Sequence, residues 1–99
     1  MTDQIVNELS VKDGNKVVLY DRLDMESIYG REQCARNVYL IDASAQVIWQ
    51  VYSEYDSEGN PFTNISVDDL GNITAYRWDG GLYFINGNTG FAKPQKLIK

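Results

Sequence analysis

Apolar residues fall in short runs along this chain, broken every few residues by Gly, Asp and Asn. Residues 5–11 and 16–21 are apolar-rich and flank "KDGN". An Asp-Gly pair between two such runs is a strong hairpin signal. From residue 38 the pattern repeats: "VYLID" (38–42), "QVIWQVY" (46–52), "FTNISV" (62–67), "NITAYRW" (72–78), "LYFIN" (82–86) and a last run from Phe91. The connections "ASA", "SEYDSEGNP", "DDLG", "DGG" and "GNTG" are short and polar or small. Strands joined this closely pair antiparallel. Residues 22–37, "RLDMESIYGREQCARN", interrupt the series. They form either a short helix or an ordered loop. In the helical reading Asp24 is the cap, Met25, Ile28 and Tyr29 share a face, and Gly30 ends the helix.

Side chains alternate across a strand. Over 46–52 one face carries Val47, Trp49 and Val51 and the other Ile48, Gln50 and Tyr52. Over 72–78 Ile73 and Ala75 oppose Tyr76 and Trp78, and over 82–86 Leu82 and Phe84 oppose Tyr83 and Ile85. Both faces therefore have apolar content, whereas an antiparallel sheet with one wet face alternates more cleanly. The second face needs a cover: the N-terminal hairpin, segment 22–37 or another copy of the chain. The expected fold is mainly β, an antiparallel meander of about seven strands curled into a roll or small sandwich, with at most one short helix near 24–36. Its 99 residues make a single domain over 1–99, long enough for a core without staples.

Charge narrows the partners. The net charge is −5 and the nine Lys and Arg are scattered, the only close groups being Arg31/Arg36 and Lys93/Lys96/Lys99. Nucleic acid and anionic membranes both want clustered bases, so neither is an expected partner; a basic protein is. Cys34 is the single cysteine and no intrachain disulfide can form. The stretch "MTDQIVNELS" holds acids and no long apolar run, unlike a secretory signal. The expected compartment is the cytoplasm.

The chain has no histidine, which removes the commonest general base and transition-metal ligand. Cys34 beside Arg36 would react only if its pKa were lowered; otherwise it is a small buried residue. Glu54, Asp56 and Glu58 are spaced like the start of a calcium loop. The twelfth position is Ile65, where that pattern needs Glu, so a solvated loop is expected. Asp68 and Asp69 start the turn "DDLGN". No phosphate-binding loop occurs. The expectation is no enzymatic activity, no cofactor and no metal. The remaining candidates for function are the aromatics Tyr39, Tyr52, Tyr76, Trp78 and Tyr83, if they share one sheet face, since Tyr and Trp dominate interface hot spots. Otherwise they are the second half of a monomer's core.

Residues 38–47, "VYLIDASAQV", lie on 82–91, "LYFINGNTGF", at an offset of 44 residues (38 to 82) without a gap. A period of this size suits propeller blades. "NVYLIDASAQVIWQV" and "GGLYFINGNTG" resemble the blade signature of pyrroloquinoline-quinone-type propellers, a strand ending in Asp, a tight turn and a strand with Trp. The first copy has Gln46 where that signature has Gly, and the second has Lys93 where it has Trp. The stretch 37–92 is similar to small uncharacterised bacterial proteins that consist of one such blade-like unit. The quinone site needs a full ring, so the resemblance implies no cofactor.

Together these readings predict a non-enzymatic interaction module, such as an orphan accessory protein of a bacterial mobile element, and a two-fold homodimer centred on Tyr76 and Trp78. One alternative is an immunity-type protein that neutralises a basic toxin through Glu54, Asp56, Glu58, Asp68 and Asp69. A second is a small enzyme that works without histidine.

Overall fold

Asp13 and Gly14 both take positive φ, 63° and 75°, which is the conformation a two-residue hairpin connection requires. This turn starts a series of such hairpins. In the computed structural model, which describes residues 4–97, the elements are β1 (Ile5–Ser10), β2 (Lys16–Tyr20), α1 (Glu26–Tyr29), α2 (Arg31–Ala35), β3 (Val38–Ile41), β4 (Val47–Gln50), β5 (Phe62–Val67), β6 (Ile73–Arg77), β7 (Gly81–Ile85) and β8 (Ala92–Leu97). Of the expected basic group at the C-terminus, Lys99 lies outside the described residues.

The strands are antiparallel and form two four-stranded sheets, β1-β2-β3-β4 and β5-β6-β7-β8. The fold is mainly β, as expected, but the single meander of about seven strands and the closed roll are corrected. The break falls at 51–61, which carries the chain from one sheet to the other. There Asp56–Glu58 forms a 3-10 turn ended by Gly59 in the left-handed region, and β4 and β5 do not pair. The sheets touch at one margin, where Tyr52 bridges Phe91 in parallel. Tyr52 N–H donates to the Gly90 carbonyl at 3.1 Å and Ala92 N–H to the Tyr52 carbonyl at 2.8 Å.

Val17, Leu19, Val38, Leu40, Trp49 and Val51 from the first half share one core with Phe62, Ile65, Ile73, Ala75, Tyr83, Ile85 and Ala92 from the second. Each sheet thus buries one face against the other. Val47, expected beside Trp49 and Val51, is 58% exposed. A register shift after Leu40↔Trp49 sets Val47 opposite Ile41, and such a bulge moves a side chain to the other face.

The segment 22–37 holds two short helices, not one. Gly30, at φ 83°, ends α1 and starts α2. Met25 rather than Asp24 precedes α1, and it makes no side-chain cap. This segment covers part of the outer face of the first sheet. The Gln50 amide donates at 2.9 Å to the Gln33 side chain, the Arg36 carbonyl and the Tyr39 hydroxyl.

The two sheets share most of their register and differ in the last pair, where the shift falls after Leu40 in β3–β4 but after Leu82 in β7–β8. Ile5↔Tyr20 and Asn7↔Leu19, with a shift between them, match Phe62↔Arg77 and Asn64↔Tyr76, again with a shift between them. Val17↔Leu40↔Trp49 matches Thr74↔Phe84↔Lys93. The connections after β3 and β7 match too. Asp42 Oδ1 accepts from Ser44 N–H at 2.8 Å, and Asn86 Oδ1 accepts from Asn88 N–H at 2.8 Å.

Gly90 sits where the sheets meet. A Cβ there would lie 2.8 Å from the Trp49 ring and 3.0 Å from the Gln50 carbonyl, on a backbone with φ +82°. Gly90→Ala is expected to destabilise the fold by about 1–3 kcal/mol through overpacking and left-handed strain. Urea unfolding followed by Trp fluorescence measures it, and an unchanged midpoint would contradict this account of the sheet junction.

Candidate interaction surface

Strand alternation and register decide which aromatics reach solvent. In the second sheet Tyr76 pairs with Leu82 and Thr74 with Phe84, so these four share the outer face. Tyr76 is 43% exposed, Phe84 47% and Trp78, just after β6, 63%. Trp78 N–H donates to the Pro61 carbonyl at 2.8 Å. Its side chain forms one wall of a groove of about 410 Å³ with Leu23, Asn60 and Pro61. Ser66 and Thr74 hydroxyls bond each other at 2.6 Å on this face. Lys93, paired with Phe84, brings a positive charge, and this face carries no carboxylate among the described residues.

The five aromatics expected on one face are not together. Tyr83 is 1% exposed and lies in the core, edge-on to Phe62 with ring centres 5.4 Å apart, within the usual range for aromatic pairs. Burial raises its phenol pKa, against the opposing pull of the Arg77 charge and hydrogen bond. Tyr39 is half-buried on the first sheet, edge-on to Tyr20 and bonded to Gln50. Tyr52 packs on Phe91 at the sheet junction. Tyr52, Tyr76 and Trp78 are exposed, and of the five only Tyr76 and Trp78 lie on or beside the outer face of the second sheet. Sequence reasoning missed Phe84. The signal was present in the alternation of Leu82 and Phe84, but choosing between that pair and Tyr83 required the β6–β7 register.

The acidic residues also separate. Asp56, expected in a solvated loop, is 2% exposed. Its carboxylate accepts from Arg77 Nη2 at 2.9 Å, Arg36 Nε at 2.7 Å, and the Ser53 hydroxyl and backbone N–H at 2.7 and 2.8 Å. Glu54 and Glu58 remain exposed beside it. Asp68 and Asp69 lie at the other end of β5, so the two acidic loops form no common patch. Instead Asp68 and Asp69 join Asp13 and Lys12 around an open cleft of about 670 Å³, between the β1–β2 and β5–β6 turns. Asp68 is occupied within its own turn. It accepts from the Asn72 backbone N–H and side-chain amide and from Leu70 N–H, which hold its carboxyl below the usual range. No group of three or more Cys, Asp or Glu able to hold a metal ion occurs among the described residues.

Cys34 is buried. Burial raises its thiol pKa, with Arg22 opposing, which fits the small buried residue of the two readings and not the activated thiol. No protein-family model matches the sequence, and no significant match was found among curated proteins or solved structures.

Two outcomes follow. Asp56→Ala leaves Arg77 buried without its counter-charge and is expected to cost on the order of 3–5 kcal/mol; denaturant unfolding reads this, and a loss under 1 kcal/mol, the range of exposed pairs, would contradict it. Cys34 should react with a thiol-specific disulfide reagent far more slowly in the folded protein than after unfolding. Because its folded pKa is raised, ionisation of the unfolded thiol lowers stability as pH rises above the ordinary thiol range and has no effect below it.

Proposed function

We propose that this chain is a non-enzymatic interaction module whose outer second-sheet face docks on another copy of the chain. One observation carries the reading: Tyr76, Trp78 and Phe84 are all exposed on or beside one sheet face in a chain of 99 residues. Apolar patches of this kind, rimmed by polar groups, mark interaction sites, and Tyr and Trp are the residues that carry binding energy when such a face is covered. Lys93 on this face suits an acidic partner, and a chain of net charge −5 is itself one. The edges of the sheets point the same way, since unpaired edge strands need covering or blunting; Pro94 blunts β8.

A role as an accessory protein of a bacterial mobile element is compatible with this module and rests on the resemblance of 37–92 to blade-like units. The reading as an immunity-type protein keeps one supporting observation, the cleft at which Asp13, Asp68 and Asp69 gather. A basic partner would then bind at the turns and not at the aromatic face. Catalysis without histidine has, among the described residues, only the carboxylates of that same open cleft, and Asp68 there is engaged within its own turn.

Light scattering at tens to hundreds of micromolar tests the reading. The expected mass exceeds the 11.3 kDa of one chain, and Trp78→Ala should weaken association by about 2 kcal/mol, as hot-spot truncations do. A mass of one chain throughout would end the proposal.

A further inference from the structure

The register match fixes how the two sheets face each other. Val38, Leu40 and Trp49 point into the core from the first sheet. The matching positions of the second sheet, Leu82, Phe84 and Lys93, lie on its outer face. Conversely, Ile65, Ala75 and Tyr83 point inward from the second sheet, and their matches Glu8, Val18 and Tyr39 lie on the outer face of the first. The sheets therefore stack like face to unlike face, as successive steps of one repeat. A sandwich related by a two-fold axis would bury the same face of both. The molecule consequently has a head, the outer face of the second sheet, and a different tail, the outer face of the first.

We infer that copies of this chain associate head to tail, with the outer face of the second sheet packed on the outer face of the first sheet of the next copy. This rests on the self-association proposed above and replaces the two-fold arrangement by a heterologous one. Three observations support this choice of occupant. The contact would repeat the sheet-on-sheet packing already present inside the chain. The head keeps large apolar groups, Tyr76, Leu82 and Phe84, at positions matching the core residues Leu19, Val38 and Leu40. The tail keeps Ile5, Val47 and Ile48 exposed, against a head that carries Tyr76, Phe84 and Lys93 and no carboxylate among the described residues. Segment 22–36 covers the end of the tail with Tyr20, Tyr39 and Gln50, and Val18 is already fully buried, so the contact falls on the end with Val47 and Ile48, which stays exposed. A heterologous contact closes into a ring when its rotation permits. Radially repeated four-stranded sheets close at about four to eight, so two sheets per copy imply roughly two to four copies.

Complementation of two variants tests the arrangement. Phe84→Asp disables the head and Val47→Asp the tail; both sites are exposed, and circular dichroism with urea unfolding checks that each variant folds. Tyr76→Asp and Ile48→Asp are the second pair. Each variant alone is expected to be monomeric, and a head variant mixed with a tail variant, one of them mass-tagged, is expected to form a one-to-one heterodimer through its single intact interface in native mass spectrometry. If the tail variants self-associate as the unaltered chain does, the contact joins two heads: the head-to-tail inference fails while the interaction module stands. If both variants are monomeric and the mixture forms no heterodimer, the inference also fails. If the unaltered chain is monomeric at hundreds of micromolar, the self-association on which it rests fails with it.

Discussion

One buried guanidinium anchors the crossover between the two sheets. Arg77 ends β6 at 2% exposure, its charge 4.2 Å from the centre of the Phe62 ring and 4.7 Å from that of Tyr83. Nη2 donates to the Asp56 carboxylate and the Ala35 carbonyl, and Nη1 to the hydroxyls of Ser53 and Tyr83. One side chain thereby joins the second sheet, the crossover 51–61 and the end of α2. Nε has no partner, so the guanidinium is not fully satisfied and depends on Asp56 for its charge. A buried ion pair stabilises little against an apolar replacement, but removing one partner is costly. Its role here is to define where the crossover sits. Asn37 makes a second tie of the same kind: its amide donates to the Tyr20 and Phe62 carbonyls and its oxygen accepts from Phe62 N–H, joining β2 to β5.

These ties explain why so small a chain can carry two sheets. Four short strands do not bury both faces, and each sheet here covers only one face of the other. Polar links at one end and the Trp49–Gly90 contact at the margin fix the relative placement, while the apolar core between the sheets supplies most of the driving force. The same geometry leaves two outer faces. That of the first sheet is partly closed by α2 through Gln50, and that of the second is left to aromatic side chains and Lys93. The surface available for association is thus a consequence of how the interior was closed.

The acidic groups illustrate the difference between charge as composition and charge as position. Asp56, Asp68 and Glu54 look alike in the chain. Asp56 is an internal counter-ion, Asp68 holds its own turn through Leu70 and Asn72, and Glu54 is solvated. Net charge still bears on partners through the long-range field, but individual carboxylates cannot be assigned to a surface from spacing alone.

Local chemistry was legible in the chain. The Asp13-Gly14 turn, the strand runs, the turn at Asp68 and the alternation that exposes Tyr76 and Trp78 all follow from φ preferences and a period of two, which act within a few residues. The division into two sheets was not legible, because a polar stretch such as 51–61 reads the same whether it returns along its own sheet or crosses to another. The choice of Tyr83 for the core and Phe84 for the surface, the bulge that turns Val47 outward, and the burial of Asp56 were decided only in three dimensions. Each depends on a partner far away in sequence, Arg77 for Asp56 and the β6–β7 register for Tyr83, and no property of the residue itself reports which partner it will meet.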